Sequence, residues 1–292
     1  MIAAHKLGGS DDIYDVLLAP AKSDLKREAL RSLEKLPPFS PVLNRLLATV
    51  AMEDVSFAKI ADLIEKDTVL AGNVLKLVNS AMYGRSRNVN SIRHAVSILG
   101  VTKLRNAALG MSIARMWNSI PTPLGWSMAR FNLHSIATAI LADLLSQQVP
   151  VDYPEGAFIA GLLHDVGLLL TAVALPGPYA ELRKTDDEQQ VLGYTHGELS
   201  GEALARWNLP EPIQRAVRWH HSPEPGSQSC VLPLSRLLQL ADEYIDSTGT
   251  SIEPQHAEES PPMGLEPLLS NDKLARTLTD FATEFQAIKG LF

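Results

Sequence analysis

With 292 residues, 46% of them hydrophobic, the chain can bury a substantial core as one large domain or two ordinary ones. Its formal net charge of −7 argues against a surface built to hold a phosphate backbone, so nucleic acid is not expected as a partner. The single cysteine, Cys230, excludes an intrachain disulfide framework and is read as a buried, inert thiol.

Helical periodicity runs along the chain with almost no sustained alternation of apolar and polar residues, which predicts an all-α, multi-helix bundle. Residues 1–24 are expected to form a leader. Lys22, Lys26, Arg27, Arg31 and Lys35, interleaved with Asp24, Glu28 and Glu34, then read as a solvated helix face of mixed charge. Ser40-Pro41 is a helix start, with Ser as N-cap and Pro in the first turn, and Val42, Leu43, Leu46, Leu47 and Val50 follow on one face. Ser56 opens the next helix and Thr68 the third, which stops at Asn79-Ser80. Tyr83 to Asn88 reads as a loop whose Arg85 and Arg87 are taken as solvated. Ser91 caps a helix closed by Gly100, and a long helix runs on to Trp117. Pro121 and Pro123 divide a first helical subdomain, 25–120, from a second, 125–246. Helices are predicted near 127–149, 155–174, 178–185, 196–207, 211–221 and 231–246. Trp207 and Trp219 are expected to fill the core between the helices bearing His196 and His220. A flexible linker over 247–264, rich in Ser, Pro and Glu, precedes a closing helical segment at 265–292. The N-terminus lacks the basic-then-apolar layout of a signal peptide, and the apolar run from Gly156 to Asp165 is short for a bilayer. A cytoplasmic protein without membrane contact is therefore expected.

Five of the eight histidines fall in the second half, as His134, His164-Asp165, His196 and His220-His221, with Asp242 after them. Gaps of about thirty, thirty and twenty residues suit one ligand group per successive helix, converging on a buried site. Imidazole and carboxylate together suit a divalent first-row metal, and six or seven ligands exceed the four of a structural zinc site. A two-metal centre bridged by a carboxylate fits better. Taken alone, His164-Asp165 could equally be a hydrogen-bonded couple in an apolar helix; the surrounding set favours the ligand reading. His94 and His256 have no partner at ligand spacing, and no Gly-rich phosphate loop or nucleophile elbow is present.

Several segments, in order, resemble the HDOD family: Leu36-Pro37-Pro38-Phe39-Ser40, the run Ile60 to Asp67, Leu75 to Ala81, Ile92 to Gly100, then His134-Ser135, Gly161-Leu162-Leu163-His164-Asp165-Val166-Gly167, Trp207-Asn208-Leu209-Pro210 and His220-His221. The resemblance covers about 25–246 and implies a helical fold related to the HD phosphohydrolases, used in bacterial signal transduction beside response-regulator modules. Most members of the family have lost metal ligands. By similarity to the related HD-GYP phosphodiesterases, His134, His164 and Asp242 would hold one ion, His196, His220 and His221 a second, and Asp165 would bridge. Two ions of iron, manganese or zinc are the implied cofactors. Where those relatives carry Lys three residues after the Asp of the pair, this chain has Leu168, and Ser222 to Gly226 replaces their substrate loop. No residue is therefore assigned as catalytic. The expected role is regulation through a protein partner, such as a receiver, kinase or transcription-related protein, with hydrolysis of a phosphoester other than a cyclic dinucleotide as the alternative.

Overall fold

The computed structural model describes residues 22–50, 52, 55–80, 88–185, 187–222, 231–252, 265 and 267–292. Arg85, Arg87, Cys230 and His256 lie outside the described residues, as do 1–21 of the expected leader, 223–226 of the replaced loop and 253–264 of the expected linker. Within the described residues the regular structure is helical. Its extended pairing is an isolated parallel bridge between Val151 and Leu232.

Side-chain caps set most helix starts in the first half. Helix α1 spans Lys22–Arg31, and α2 (Pro41–Ala48), α3 (Phe57–Glu65), α4 (Thr68–Val78) and α5 (Ile92–Leu99) follow. The Ser40, Ser56 and Ser91 hydroxyls accept the N–H of Leu43, Lys59 and His94, which satisfies donors that a helix start leaves open. Asp67 caps α4, accepting from Val69 and Leu70, and also receives Arg115 at 3.1 Å from α6 (Val101–Trp117). The Arg115 guanidinium holds the Asp67 carboxyl below its ordinary range. The apolar faces of α2 to α6 close on one another around Leu43, Leu46, Ile60, Ile64, Leu70 and Val74.

The second half contains α7 (Met128–Ser146), α8 (Ala157–Leu163), α9 (Val166–Ala174), α10 (Pro176–Thr185), the short α11 (Glu188–Val191), α12 (His196–Arg206), α13 (Glu211–Arg218) and α14 (Leu234–Ser247). Helix α15 (Asn271–Ile288) returns onto α7. Helix α1 rests on α9 and α12, where Lys26 pairs with Glu202 at 2.7 Å, so the first helix packs against the second half. Trp207 lies against Phe39 and Trp117, with ring centroids 5.0 and 6.1 Å away. It therefore joins the two halves instead of filling the space between the helices that carry His196 and His220.

Two differences from the predicted helices bear on function. The helix expected over 155–174 is broken at His164-Asp165, where Asp165 has φ −97° and ψ 12°. The apolar stretch Pro154–Ala174 is also longer than the run the sequence suggests, at 21 residues with an 18-residue window of mean hydropathy 1.9, which is enough to cross a membrane by length and composition alone. Its most apolar window is 83% buried inside the fold, as in a core element.

Glycines on either side of the break let this element touch its neighbours by backbone. A Cβ at Gly161 would stand 2.6 Å from the Cα of Ala139 on α7, and one at Gly167 would stand 2.2 Å from the carbonyl oxygen of His196. Gly161→Ala is expected to destabilise the protein by about 1–3 kcal/mol, because the obstacle is backbone and cannot rotate away. A chemical-denaturation midpoint identical to that of the unaltered protein would contradict this reading.

Candidate metal centre

Seven side chains from the second half meet at the break between α8 and α9. His134 comes from the middle of α7, His164 and Asp165 from the break, His196 from the first turn of α12, His220 and His221 from the end of α13, and Asp242 from α14. Their donor atoms form two groups, His134, His164, Asp165 and Asp242, and Asp165, His196, His220 and His221, each lying within 4.8 Å. All seven residues expected as ligands are in these groups.

In the first group His134 Nε2 stands 3.1 Å from His164 Nε2, 3.2 Å from Asp165 Oδ2 and 3.0 Å from Asp242 Oδ1. His164 Nε2 is 3.0 Å from Asp165 Oδ2. In the second, His196 Nε2 lies 3.2 Å from both Asp165 Oδ1 and His220 Nε2. Asp165 thus turns one oxygen towards each group. Ligand atoms about 2.1 Å from a shared ion, roughly 90–110° apart, lie about 3.0–3.4 Å from one another. The observed spacings match.

The opposite ring nitrogens explain the orientation of these imidazoles. His164 Nδ1 donates to the Gly161 carbonyl at 2.8 Å and His220 Nδ1 to the Val217 carbonyl at 2.6 Å. Both histidines follow a helix end, where the last carbonyls have no partner within the helix. His134 Nδ1 donates to the Thr250 carbonyl at 3.0 Å. Glu188 accepts from both the backbone N–H and Nδ1 of His196, each at 2.8 Å. The capping box of Thr195 and Glu198 fixes where α12 begins and so holds His196 in its first turn. Since a carbonyl can only accept, Nδ1 carries the hydrogen and Nε2 turns its lone pair inward. Two neutral imidazoles cannot hydrogen-bond lone pair to lone pair at 3.1 Å. A positive charge, either proton or cation, must lie between them.

The electrostatics point the same way. Burial works against a charged His164, but Asp165 and Asp242 outweigh it and push its pKa up to about 9. His134 is likewise raised well above the ordinary range, burial being overcome by the same two carboxylates, and His196 is raised against burial by Glu188 and Asp165. Asp165 and Asp242 sit well below the usual carboxylate range, their burial overcome by the facing histidines, His164 foremost. At His220, burial and the charges of His221, His196 and His164 lower the pKa well below the ordinary value. The cluster could therefore hold a metal ion, and without one it gathers protons instead.

A cavity of about 380 Å³ opens onto both groups and is lined by His134, Asp165, His196, His221 and Asp242. Of the ligand set, His221 is the most open, with 46% of its side chain exposed, whereas His164 and His220 are fully buried. Leu168 and Ser222 also line the wall. Sequence reading missed three further wall residues, Asp246, Arg183 and Arg218. Asp246 had a signal, since it lies four residues after Asp242 on one helix face. The arginines had none beyond charge, because their helices meet at the cavity only in the folded chain.

The family profile described as HDOD domain matches residues 36–223. The chain belongs to the HDOD family. An HDOD domain protein of unknown function from Geobacter sulfurreducens has a similar crystal structure, with a TM-score of 0.72 and 25% identity over 93% of this chain and 98% of that one. A candidate phosphohydrolase from Shewanella amazonensis shares the fold, with a TM-score of 0.67 and 22% identity over 90% and 97% of the two chains. An uncharacterised protein of Treponema pallidum (strain Nichols) is 24% identical over 250 residues, 76% of this chain and 48% of that protein. The chain thus spans about half the length of this curated relative.

Protons and cations compete for the same nitrogens, so loading a divalent ion at pH 7 should expel protons and apparent affinity should fall as pH is lowered. Calorimetry in buffers of different ionisation enthalpy reads the proton release directly; none at all would contradict the site. An ion at a thousandfold excess over Kd should stabilise the fold by about 4 kcal/mol. Chelation or His164→Ala should remove that gain and lower the melting temperature.

Proposed function

We propose that this HDOD protein is a metal-dependent phosphohydrolase acting on a phosphoester other than a cyclic dinucleotide. The observation that carries the reading is the pair of inward-facing donor groups, bridged by Asp165 and open to one cavity of about 380 Å³. Cations held there would polarise a phosphoryl oxygen and lower the pKa of a water towards neutrality. His134, His164 and Asp242 would hold one ion and His196, His220 and His221 the other. Asp165 would fix their separation through its two oxygens. Iron, manganese and zinc all suit this mixture of imidazole and carboxylate. Leu168 offers no charge to a phosphate, but Arg183 and Arg218 supply cationic charge elsewhere on the same wall.

A second reading, regulation through a protein partner, has its own support. Among the described residues Met52, Phe57 and Val69 of the first half are large apolar side chains exposed to solvent at 42%, 40% and 56%. None of them lines the cavity. In this reading the first half contacts a receiver, kinase or transcription-related protein in the bacterial cytoplasm, with the loaded centre rigidifying the second half.

Protein purified without an affinity tag and loaded with manganese or iron should turn over p-nitrophenyl phosphate or its bis-ester but not a cyclic dinucleotide. The double variant His164→Ala/Asp165→Ala should lose that activity. Fully loaded protein that hydrolyses none of these esters would defeat the first reading. Under the second, Phe57→Glu with Val69→Glu should abolish partner capture while metal content stays constant.

A further inference from the structure

Helix α1 belongs to the first half of the chain, yet it is seated on elements that build the second donor group. Its apolar face, Leu25, Ala29 and Leu30, is buried, and the helix packs against α9 and α12. The Arg206 guanidinium at the far end of α12 donates to the Leu30 carbonyl at 3.1 Å, which attaches α12 to α1 at that end.

Two lysines attach α1 nearer the metal centre. Lys26 Nζ lies 2.7 Å from Glu202 Oε1 and 3.7 Å from Glu198 Oε2. That same Glu198 oxygen accepts the Thr195 N–H in the capping box that starts α12 at His196. Lys22 donates to the Gln189 carbonyl at 3.1 Å, and its stem lies against Gly193, whose φ is +78°. A Cβ at Gly193 would stand 2.6 Å from the Lys22 Cβ, so glycine there lets α1 come this close. The turn gripped in this way, 188–193, closes on the Glu188 carbonyl, which accepts the N–H of Leu192 at 2.7 Å and of Gly193 at 3.2 Å. Glu188 from this turn and His196 from α12 form the pair whose hydrogen bonds aim His196 Nε2 at Asp165 and His220. Lys22 thus holds the segment of one partner and Lys26 that of the other, four residues apart on one face of a single helix. The first donor group leans on different supports, since the carbonyls of Thr250 and Gly161 orient His134 and His164.

We propose that α1 is a clasp on the second donor group, with Lys22 and Lys26 as positioning residues that set how tightly His196, His220 and His221 hold an ion. The inference rests on the metal centre of the phosphohydrolase reading and adds a control to it, because the strength of one ion group follows the seating of a helix from the other half of the chain. Such coupling is reciprocal, so an ion in the second group steadies α1 in turn. A partly exposed ion pair adds little to stability, so the lysines act on the placement of His196 and hardly on the fold.

The test uses the full chain, freed of ions by a chelator and titrated with zinc by calorimetry. His196→Ala and Asp242→Ala identify the binding steps of the second and first groups. Lys26→Glu sets a like charge beside Glu198 and Glu202 and should weaken the second step by roughly tenfold, the loss usual when the support of a metal-bound histidine is altered, while the first step stays unchanged. Lys26→Arg should keep the second step tight, and Lys22→Ala should weaken it in the same sense as Lys26→Glu. In the unaltered chain zinc should slow amide exchange across Lys22–Arg31, and that slowing should be lost in His196→Ala. The clasp is overturned, and the phosphohydrolase reading survives, if Lys26→Glu leaves the second step unchanged or weakens both steps alike, or if zinc slows exchange in α1 equally in His196→Ala. Zinc bound at neither group overturns both.

Discussion

The carboxylate of Asp165 is the contact around which the second half is arranged. Its two oxygens face different imidazole groups, Oδ2 towards His134 and His164 and Oδ1 towards His196 and His220. A buried carboxylate would be costly without compensating charge, so its neighbours must supply that charge. They come from α7, α12 and the segment after α13, and satisfying this one side chain fixes how those elements meet. The requirement also explains the break in the apolar element from Pro154 to Ala174. An unbroken helix would send His164 and Asp165 outwards along its own face, whereas the turn at Asp165 allows His164 to follow α8 and Asp165 to face the opening.

Backbone contact makes the arrangement possible. Without side chains at Gly161 and Gly167, α8 approaches α7 and α9 approaches the start of α12 closely enough for His164 to reach His134 and for Asp165 to reach His196. Gly167 adds a hydrogen bond from its N–H to the Ser200 hydroxyl at 2.8 Å. Further out, Asp152 accepts the N–H of Leu234 at 2.9 Å and so caps α14, the helix that delivers Asp242. Among the described residues the first half contributes no donor to the centre. Its link to the second is apolar, through Phe39, Trp117 and Trp207, and polar, through Arg206 donating to the Leu30 carbonyl.

Burial, tautomer and charge act together in the centre. Acceptors behind the rings hold the Nδ1 hydrogens of His134, His164, His196 and His220, leaving their Nε2 atoms turned inward. Such an arrangement of lone pairs and carboxylates is stable only around positive charge. Asp246, beside it on α14, is pushed up to about 6 by burial and by the charge of Asp242. The cavity joins this centre to the half-buried Arg218, and the two features make one surface although they lie on different helices.

The sequence alone determined the helical class, the positions of the capped helix starts and the identity of the candidate ligands. Ser40, Ser56 and Ser91 are legible because a cap acts on the next turn of its own chain, and the histidines because their spacing fits one group per helix. The likeness to the HDOD family was legible for the same local reason, through short ordered motifs. The pairing of Asp67 with Arg115, the break at His164-Asp165 and the place of Trp207 between the halves depend on partners 30 or more residues away, such as Arg115, His196 and Phe39. Nor could spacing say which nitrogen of each ring turns inward, since Thr250 and Glu188 decide that from other elements. The cavity, with Arg183 and Arg218 on its wall, exists only once α10, α12 and α13 have packed. Local sequence fixes groups that act within a helical turn, whereas a site assembled from five segments is fixed by the contacts that bring their backbones together.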